Sequence, residues 1–270
     1  MPERQRYTIA ICKGAALLDE TRTLIEHWKV GETAEAFVRR VEQEGLLGKA
    51  TAYRVRDIVR RVFVPRYLKP DDRPARMLKG AIECNLQPAV FKELVLLYSS
   101  RNDPLLRDFV LREFWPSVRR GRDFMDISNV LLFFSEALTD GRIDKPWSDQ
   151  VSRNVAWGLL GFLREADFIR ESQKGKRELI DYRISDGMMV ILARILKEEG
   201  FSDSGIVDHP DWNVFGLERM DVLARLHFLG EEMGLLVQQA GSVVSFNWKV
   251  RSTQSLMSTL NLNRQLNRRD

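Results

Sequence analysis

The sequence predicts a mainly α-helical protein in two parts: an N-terminal helical bundle over residues 1–142, then a region of two helix–hairpin units over 143–260, with a polar, basic tail at 261–270. Three observations carry this. In the first part, apolar residues recur at i, i+3, i+4 and i+7 in successive segments, bounded by Thr, Asp, Pro and Gly where helices begin and end. In the second, an amphipathic stripe is twice followed by two short alternating runs around a turn. Between them, Asp140 to Pro146 carries a glycine, a proline and mixed charges, the composition of a domain boundary.

Taken in order, Leu17, Leu18, Thr21, Leu24, Ile25 and Trp28 mark one face of a helix from about Lys13 to Lys29, which Gly31 breaks. Thr33 caps a second helix, with Phe37, Val38 and Val41 inward and Gly45 at its end. A third runs from about Thr51 to Tyr67 on Val55, Ile58, Val59, Val62 and Phe63. Pro88 suits the first turn of the next, and Asp103-Pro104 reads as N-cap and N1 of another carrying Leu105, Leu106, Phe109 and Val110. Asp126 caps a helix through Ile127, Val130, Leu131 and Phe134 to Gly141.

Past the boundary, Ser148 starts a helix on Val151, Val155, Leu159, Phe162 and Leu163. Phe168-Ile169 and Ile180, Tyr182, Ile184 follow as candidate strands around a Lys174-Gly175-Lys176-Arg177 tip. Met188 to Leu196 forms a further helix ended by Gly200, and the turn-rich stretch to Gly216 contains Trp212 and Phe215. The second unit pairs the Val222, Leu226, Leu229, Met233 stripe with runs Leu235 to Ala240 and Val244, Phe246, Trp248 across Gly241-Ser242, a dipeptide suited to a type II′ turn. Helix followed by hairpin is the closing part of a winged helix, a fold that serves both nucleic-acid binding and protein docking.

With 44% hydrophobic and 30% charged residues over 270 positions, the chain has the apolar content of a globular protein rather than a disordered one. Even Val130 to Phe134 is cut off by Asp126 and Glu136, short of the roughly 20 apolar residues a spanning helix needs. Met1 to Arg6 is polar and leads into no signal-peptide pattern, so a cytoplasmic protein without membrane attachment is expected. Two cysteines, Cys12 and Cys84, and three scattered histidines offer neither a disulfide framework nor a metal-ligand spacing; no metal or cofactor is expected.

The net charge of +4 conceals an asymmetry. From Lys49 to Lys79 ten basic residues meet three acidic ones, and from Lys249 to the end five meet one, so the rest of the chain is net acidic. Arg54, Arg56, Arg60 and Arg61 occupy the arc opposite the apolar stripe of their helix, where they would reach phosphates from one scaffold. A solvated helix face is the competing reading. Lys174, Lys176 and Arg177 at the first hairpin tip would follow a DNA backbone, and Arg153 and Asn154 on the preceding helix are suited to base edges. Trp212 and Phe215 are candidates for a partner-docking surface. Phosphate-binding loops, nucleophile elbows and His-Glu-x-x-His motifs are missing, so a non-enzymatic role is expected.

Several strings in shared order resemble the BrxA family of bacteriophage-exclusion (BREX) defence systems. They are Lys13-Gly14-Ala15-Ala16-Leu17-Leu18 with Glu20-Thr21-Arg22, Leu46-Leu47-Gly48-Lys49, Arg66-Tyr67-Leu68, Trp147, Leu163-Arg164-Glu165-Ala166-Asp167-Phe168, Phe201-Ser202-Asp203, Asp211 to Leu217, and Gln239 to Val243. The resemblance implies an N-terminal part similar to the NusB fold, a winged-helix-like C-terminal part, and double-stranded DNA binding without enzymatic activity. Two alternatives stand beside it: a protein-docking scaffold within the defence complex, and an RNA-binding NusB-like protein.

Overall fold

The computed structural model describes residues 6–48, 50–172, 176–230, 232–241 and 243–266. Its elements are mainly helical, and they fall into two units, one formed by residues 1–75 with 95–182 and the other by 76–94 with 183–270.

The first unit opens with a 3-10 turn, Ala10–Lys13, before helix α1 (Leu18–His27). Helix α2 (Ala34–Glu44) begins where Thr33 Oγ1 accepts from the Ala36 amide at 3.2 Å and stops at Gly45, whose φ of 63° continues no helix. Thr51 caps α3 (Ala52–Asp57) in the same way, and α3 runs on without a break into a π-helical segment, Ile58–Leu68. Pro65 lies inside that segment. It lacks an amide hydrogen and its ring crowds the carbonyl four residues back, a conflict that wider winding relieves. A second π segment, Val110–Phe114, follows α6 (Pro104–Phe109) and directly precedes α7 (Trp115–Arg119), which carries Pro116 in its first turn.

Asp126 begins α8 (Ile127–Thr139) with a full capping box, its own carboxylate on the Ser128 and Asn129 amides and Asn129 Oδ1 returning to the Asp126 amide. Ser148 begins α9 (Asp149–Glu165), which packs on α8 and on the Ala10–Lys13 turn. Contact with the turn is tight: a Cβ at Gly158 would lie 2.9 Å from the Ile11 carbonyl oxygen, so only glycine lets the two backbones meet. A three-stranded sheet follows, in the order β1 (Phe124–Met125), β3 (Arg177–Leu179), β2 (Ile169–Glu171), antiparallel throughout. Phe168 stacks on Phe114 at 4.7 Å and meets Tyr182 edge-on at 4.4 Å, tying the base of the hairpin to the helices.

The expected domain boundary falls inside this unit. Arg142 is buried, its guanidinium on Asp140 and on the hydroxyl of Tyr7, while the Tyr7 amide donates to the Arg142 carbonyl at 2.8 Å. Burial and then the hydrogen bond to Asp108 push the Tyr7 phenol well above its ordinary pKa, so it stays a donor at any physiological pH. The glycine, proline and charges of Asp140 to Pro146 make a tight, pinned turn here.

In the second unit, α10 (Asp186–Glu198) is buried nearly all round and touches α11 (Asp203–Val207), α12 (Arg219–Gly230) and α13 (Thr253–Leu266), which accounts for its almost unbroken apolar run from Met188 to Leu196. Ser185 caps it, and the Ser185 amide donates at 2.6 Å to the buried carboxylate of Glu93 on α5 (Pro88–Asn102), the helix expected from Pro88. Strands β4 (Leu235–Ala240) and β5 (Val243–Trp248) pair in the expected register, Leu235 opposite Trp248 and Ala240 opposite Val243. Gly241 takes a φ of 60°, and Ser242 lies outside the described residues.

Four expectations are corrected. The first hairpin pairs Ile169–Glu171 with Arg177–Leu179, so Ile180, Tyr182 and Ile184 are not strand residues and Arg177 is not at the tip. Strand β1 joins from the stretch just before the Asp126 cap, where no strand was expected. Helices α4 (Arg73–Glu83), α11 and α13 lie outside the expected elements; α13 buries Leu256 and Met257 and runs on to Leu266, into the expected polar, basic tail. Helix α1 starts five residues late, because Gly14 to Leu17 forms a loop held by other elements.

Candidate nucleic-acid interface

The helix from Ala52 to Leu68 turns Val55, Ile58, Val59, Val62 and Phe63 into the core, where Phe63 meets Phe37 of α2 at 5.4 Å and Tyr67 at 5.3 Å. That packing decides which arginines face water. The side chains of Arg56, Arg60 and Arg61 are 58%, 56% and 58% exposed. Two carboxylates serve them. Glu42 of α2 has one oxygen 3.1 Å from Arg56 Nε and 3.9 Å from Arg60 Nε, and buried Asp57 meets Arg61 Nε at 3.1 Å and Lys13 Nζ at 3.4 Å. The pairs that exposed Arg56 and Arg60 make with Glu42 are worth about 0–1 kcal/mol, so a phosphate would displace them at small cost; Arg61 is itself exposed, but its partner Asp57 is buried.

Arg54, the fourth member of the expected set, points elsewhere. It is half-buried and its Nη1 donates to the Lys13 carbonyl. Arg66, counted in the basic surplus, is 6% exposed, donates to the carbonyls of Ala15 at 2.8 Å and Gly14 at 3.2 Å, and lies 5.8 Å from the Phe162 ring centroid. Both are structural clamps rather than free cations.

The second set lies on α9 and the hairpin. Arg153 and Asn154 are exposed; Asn154 accepts from Gln150 Nε2 at 2.9 Å, and Arg153 has no hydrogen-bond or ion-pair partner among the described residues. Lys176 is exposed, with its ammonium 5.7 Å from the Phe124 ring centroid. Arg177 is a correction: it is 9% exposed, with its guanidinium 4.9 Å from the ring centroid of Trp157. Lys174 lies outside the described residues. Trp157 itself was missed. It is 50% exposed, three and four residues after Asn154 and Arg153 and therefore on their face of α9. The available signal was a tryptophan lying off the Val155, Leu159, Phe162 stripe.

Trp212 and Phe215 are also corrected. They sit on a 3-10 turn, Trp212–Phe215, at 1% and 2% exposure, and Trp212 Nε1 donates to the Ile206 carbonyl at 2.7 Å. They fill the core of the second unit and present no docking surface. No group of three or more His, Cys, Asp or Glu placed to hold a metal occurs among the described residues, and no helix among them is long and apolar enough to cross a membrane.

A family model described as BrxA matches residues 5–195, well over half of the sequence. The chain belongs to the BrxA family. Members of the BrxA family are components of BREX systems, and the match spans the whole arginine-rich helix, α9 and the first hairpin. A solved structure described as an uncharacterized protein from Magnetospirillum magneticum is similar in fold, with a TM-score of 0.58 and 19% identity over 72% of this chain and 95% of that one. None of the curated proteins matches the sequence.

Three strings of the BrxA resemblance meet in space, those of Lys13 to Leu18, of Arg66 and of Glu165. The loop from Lys13 to Leu17 is clamped by Arg54 and Arg66, and holds Leu17 at a φ of 51°, a conformation costly for a branched side chain. Its exit is held by Glu165 of α9, whose carboxylate accepts from the Leu18 amide at 3.3 Å. Burial pushes the Glu165 carboxyl above its ordinary pKa.

Proposed function

We propose that this BrxA-family protein is a non-enzymatic, cytoplasmic accessory of a BREX system that binds double-stranded DNA, chiefly through contacts to phosphates. One observation carries the reading: Arg56, Arg60 and Arg61 project from a single rigid helix, each more than half exposed, with Glu42 and Asp57 as their only ion-pair partners among the described residues. The helix–hairpin order of α9, β2 and β3 supports a winged-helix-like use of the same unit. In that use Arg153 and Asn154 address base edges, Trp157 adds apolar contact, and Lys176 follows the backbone. Affinity of this kind is mostly independent of sequence and falls steeply with salt.

A second reading has its own observation. On α12, Met220 and Phe228 are 70% and 82% exposed, which favours a protein-docking role for the second unit in place of the buried Trp212 and Phe215.

The test is binding of the full chain to a labelled random-sequence duplex and to the matching RNA as salt is raised, with Arg56→Glu/Arg60→Glu compared after circular dichroism shows an unchanged fold. Salt-sensitive duplex binding that the variant loses supports DNA binding by this face. Equal or tighter binding to RNA would transfer the face to RNA, and no binding to either at low salt would overturn the reading in favour of docking.

A further inference from the structure

One part of the basic surface of the first unit is concave. Arg39 of α2, Arg60 of the π-wound helix and Lys69 just past its end line a cleft of about 360 Å³, together with Ala34, Glu35, Val38 and Val64. The two valines are buried, at 5% and 6% exposure, and give the cleft an apolar lining. Arg39 and Lys69 are exposed and make no hydrogen bond or ion pair with any described residue, while Arg60 reaches only the shared Glu42 at 3.9 Å.

The neighbour of Arg39 shows that this is not a general property of the helix. Arg40 donates to both oxygens of Glu32, from Nε at 2.9 Å and Nη2 at 2.7 Å, and that pairing lowers the Glu32 carboxyl below its ordinary range. Helix α2 thus satisfies one arginine within the fold and leaves the next unpaired at the cleft. Three cations against the single carboxylate of Glu35 leave a surplus of two positive charges, a match for the roughly −1.5 to −2 of a phosphate monoester at neutral pH and more than enough for the single negative charge of a phosphodiester in a strand. The volume lies near the lower end, about 300 Å³, of sites that hold small organic ligands, larger than a bare anion needs.

We infer that this cleft binds a phosphate group carried on an apolar or aromatic body, as in a nucleotide unit. Arg39, Arg60 and Lys69 take the phosphate oxygens, and the body lies against Val38 and Val64. Such a unit has two sources, a free nucleotide or a nucleotide of a bound DNA strand; only the second rests on the DNA-binding reading above.

The experiment titrates the full chain with adenosine 5′-monophosphate, and with adenosine as the phosphate-free control, by isothermal calorimetry. Duplex DNA is then titrated in parallel. Arg39→Gln/Lys69→Gln is compared with Lys29→Gln/Lys145→Gln, which removes two exposed lysines outside the cleft, and with Glu35→Gln; circular dichroism checks each fold. Expected are binding of the monophosphate but not of adenosine, weakening of about tenfold or more in Arg39→Gln/Lys69→Gln, and tightening in Glu35→Gln, which a purely structural role would not produce. If the monophosphate does not bind but duplex affinity follows the same order across the variants, the strand is the source. Should the wild type bind no duplex, the DNA reading fails and the cleft stands or falls on the monophosphate alone. Monophosphate binding unchanged by Arg39→Gln/Lys69→Gln overturns the inference. So does absence of monophosphate binding combined with duplex binding that is lacking, or equal in the two double variants.

Discussion

Arg66 and Arg60 belong to one helix, six residues apart, yet the structure gives them opposite work, and Arg66→Met separates the two roles. Methionine retains an unbranched, largely apolar stem but removes the guanidinium that bridges the Gly14 and Ala15 carbonyls. Hydrogen bonds from a charged donor contribute about 1.5–3 kcal/mol each, and at 6% exposure little water replaces them. Two such bonds, offset in part by the easier burial of methionine, put the loss at about 3–4 kcal/mol. A second effect adds to it. Asp103, 5% exposed, already has its pKa raised by burial against the opposing charge of Arg66, so losing that charge makes ionised Asp103 costlier still. The carboxyl's raised pKa favours stability at low pH and costs it as pH climbs, so the deficit of the variant should widen as pH rises from acid to neutral. Arg60→Met removes only a 3.9 Å surface pair and should cost under about 0.5 kcal/mol. Urea denaturation of both variants and wild type, followed by far-ultraviolet circular dichroism at pH 4.5 and 7, measures the difference. A loss below about 1 kcal/mol for Arg66→Met, or equal losses for the two variants, would refute the division into clamping and free arginines.

Two further outcomes are expected. Trp212→Ala should lower stability by about 3–5 kcal/mol through loss of a fully buried ring and of its bond to the Ile206 carbonyl, measured by chemical denaturation; a stable variant defective only in binding a partner would restore the docking role. Asp126→Ala should cost about 1 kcal/mol at pH 7 as the α8 cap is lost. Because the hydrogen bond from Ser128, then those from the backbone amides, hold the Asp126 carboxyl below its ordinary 3.8, the wild-type advantage should be present above that pH and shrink as pH falls through and below it; an advantage constant down to pH 2 would contradict the assignment.

Much of the helical framework was legible because its signals are local. Thr33, Thr51, Asp103, Asp126, Ser148 and Ser185 each accept from an amide of the first turn they precede, and these bonds depend only on residues two or three positions away. The second hairpin was legible for the same reason, since alternation and a Gly-containing turn set its register. The first hairpin was not: its paired strands are only three residues each, too short to show alternation, and β1 pairs with it from more than fifty residues away. Helix α13 was hidden by its polar composition, and its identity rests on the burial of Leu256 and Met257.

For the candidate site, the sequence by itself determined that positive charge is concentrated along one helix and that the apolar stripe leaves an arc of arginines outside it. Only the tertiary structure decided what each arginine does. Arg54 and Arg66 are turned to the carbonyls of a loop some forty to fifty residues earlier, Arg177 lies on Trp157, and Arg56, Arg60 and Arg61 remain at the surface. The reason is physical: charge is a property of the side chain and can be counted along a chain, whereas the partner that neutralises, buries or leaves it open comes from elements distant in sequence. The same holds for the aromatics, where Trp157 and Trp212 are alike in composition and opposite in exposure because one lies off its helix's packed face and the other is enclosed by α11 and its neighbours.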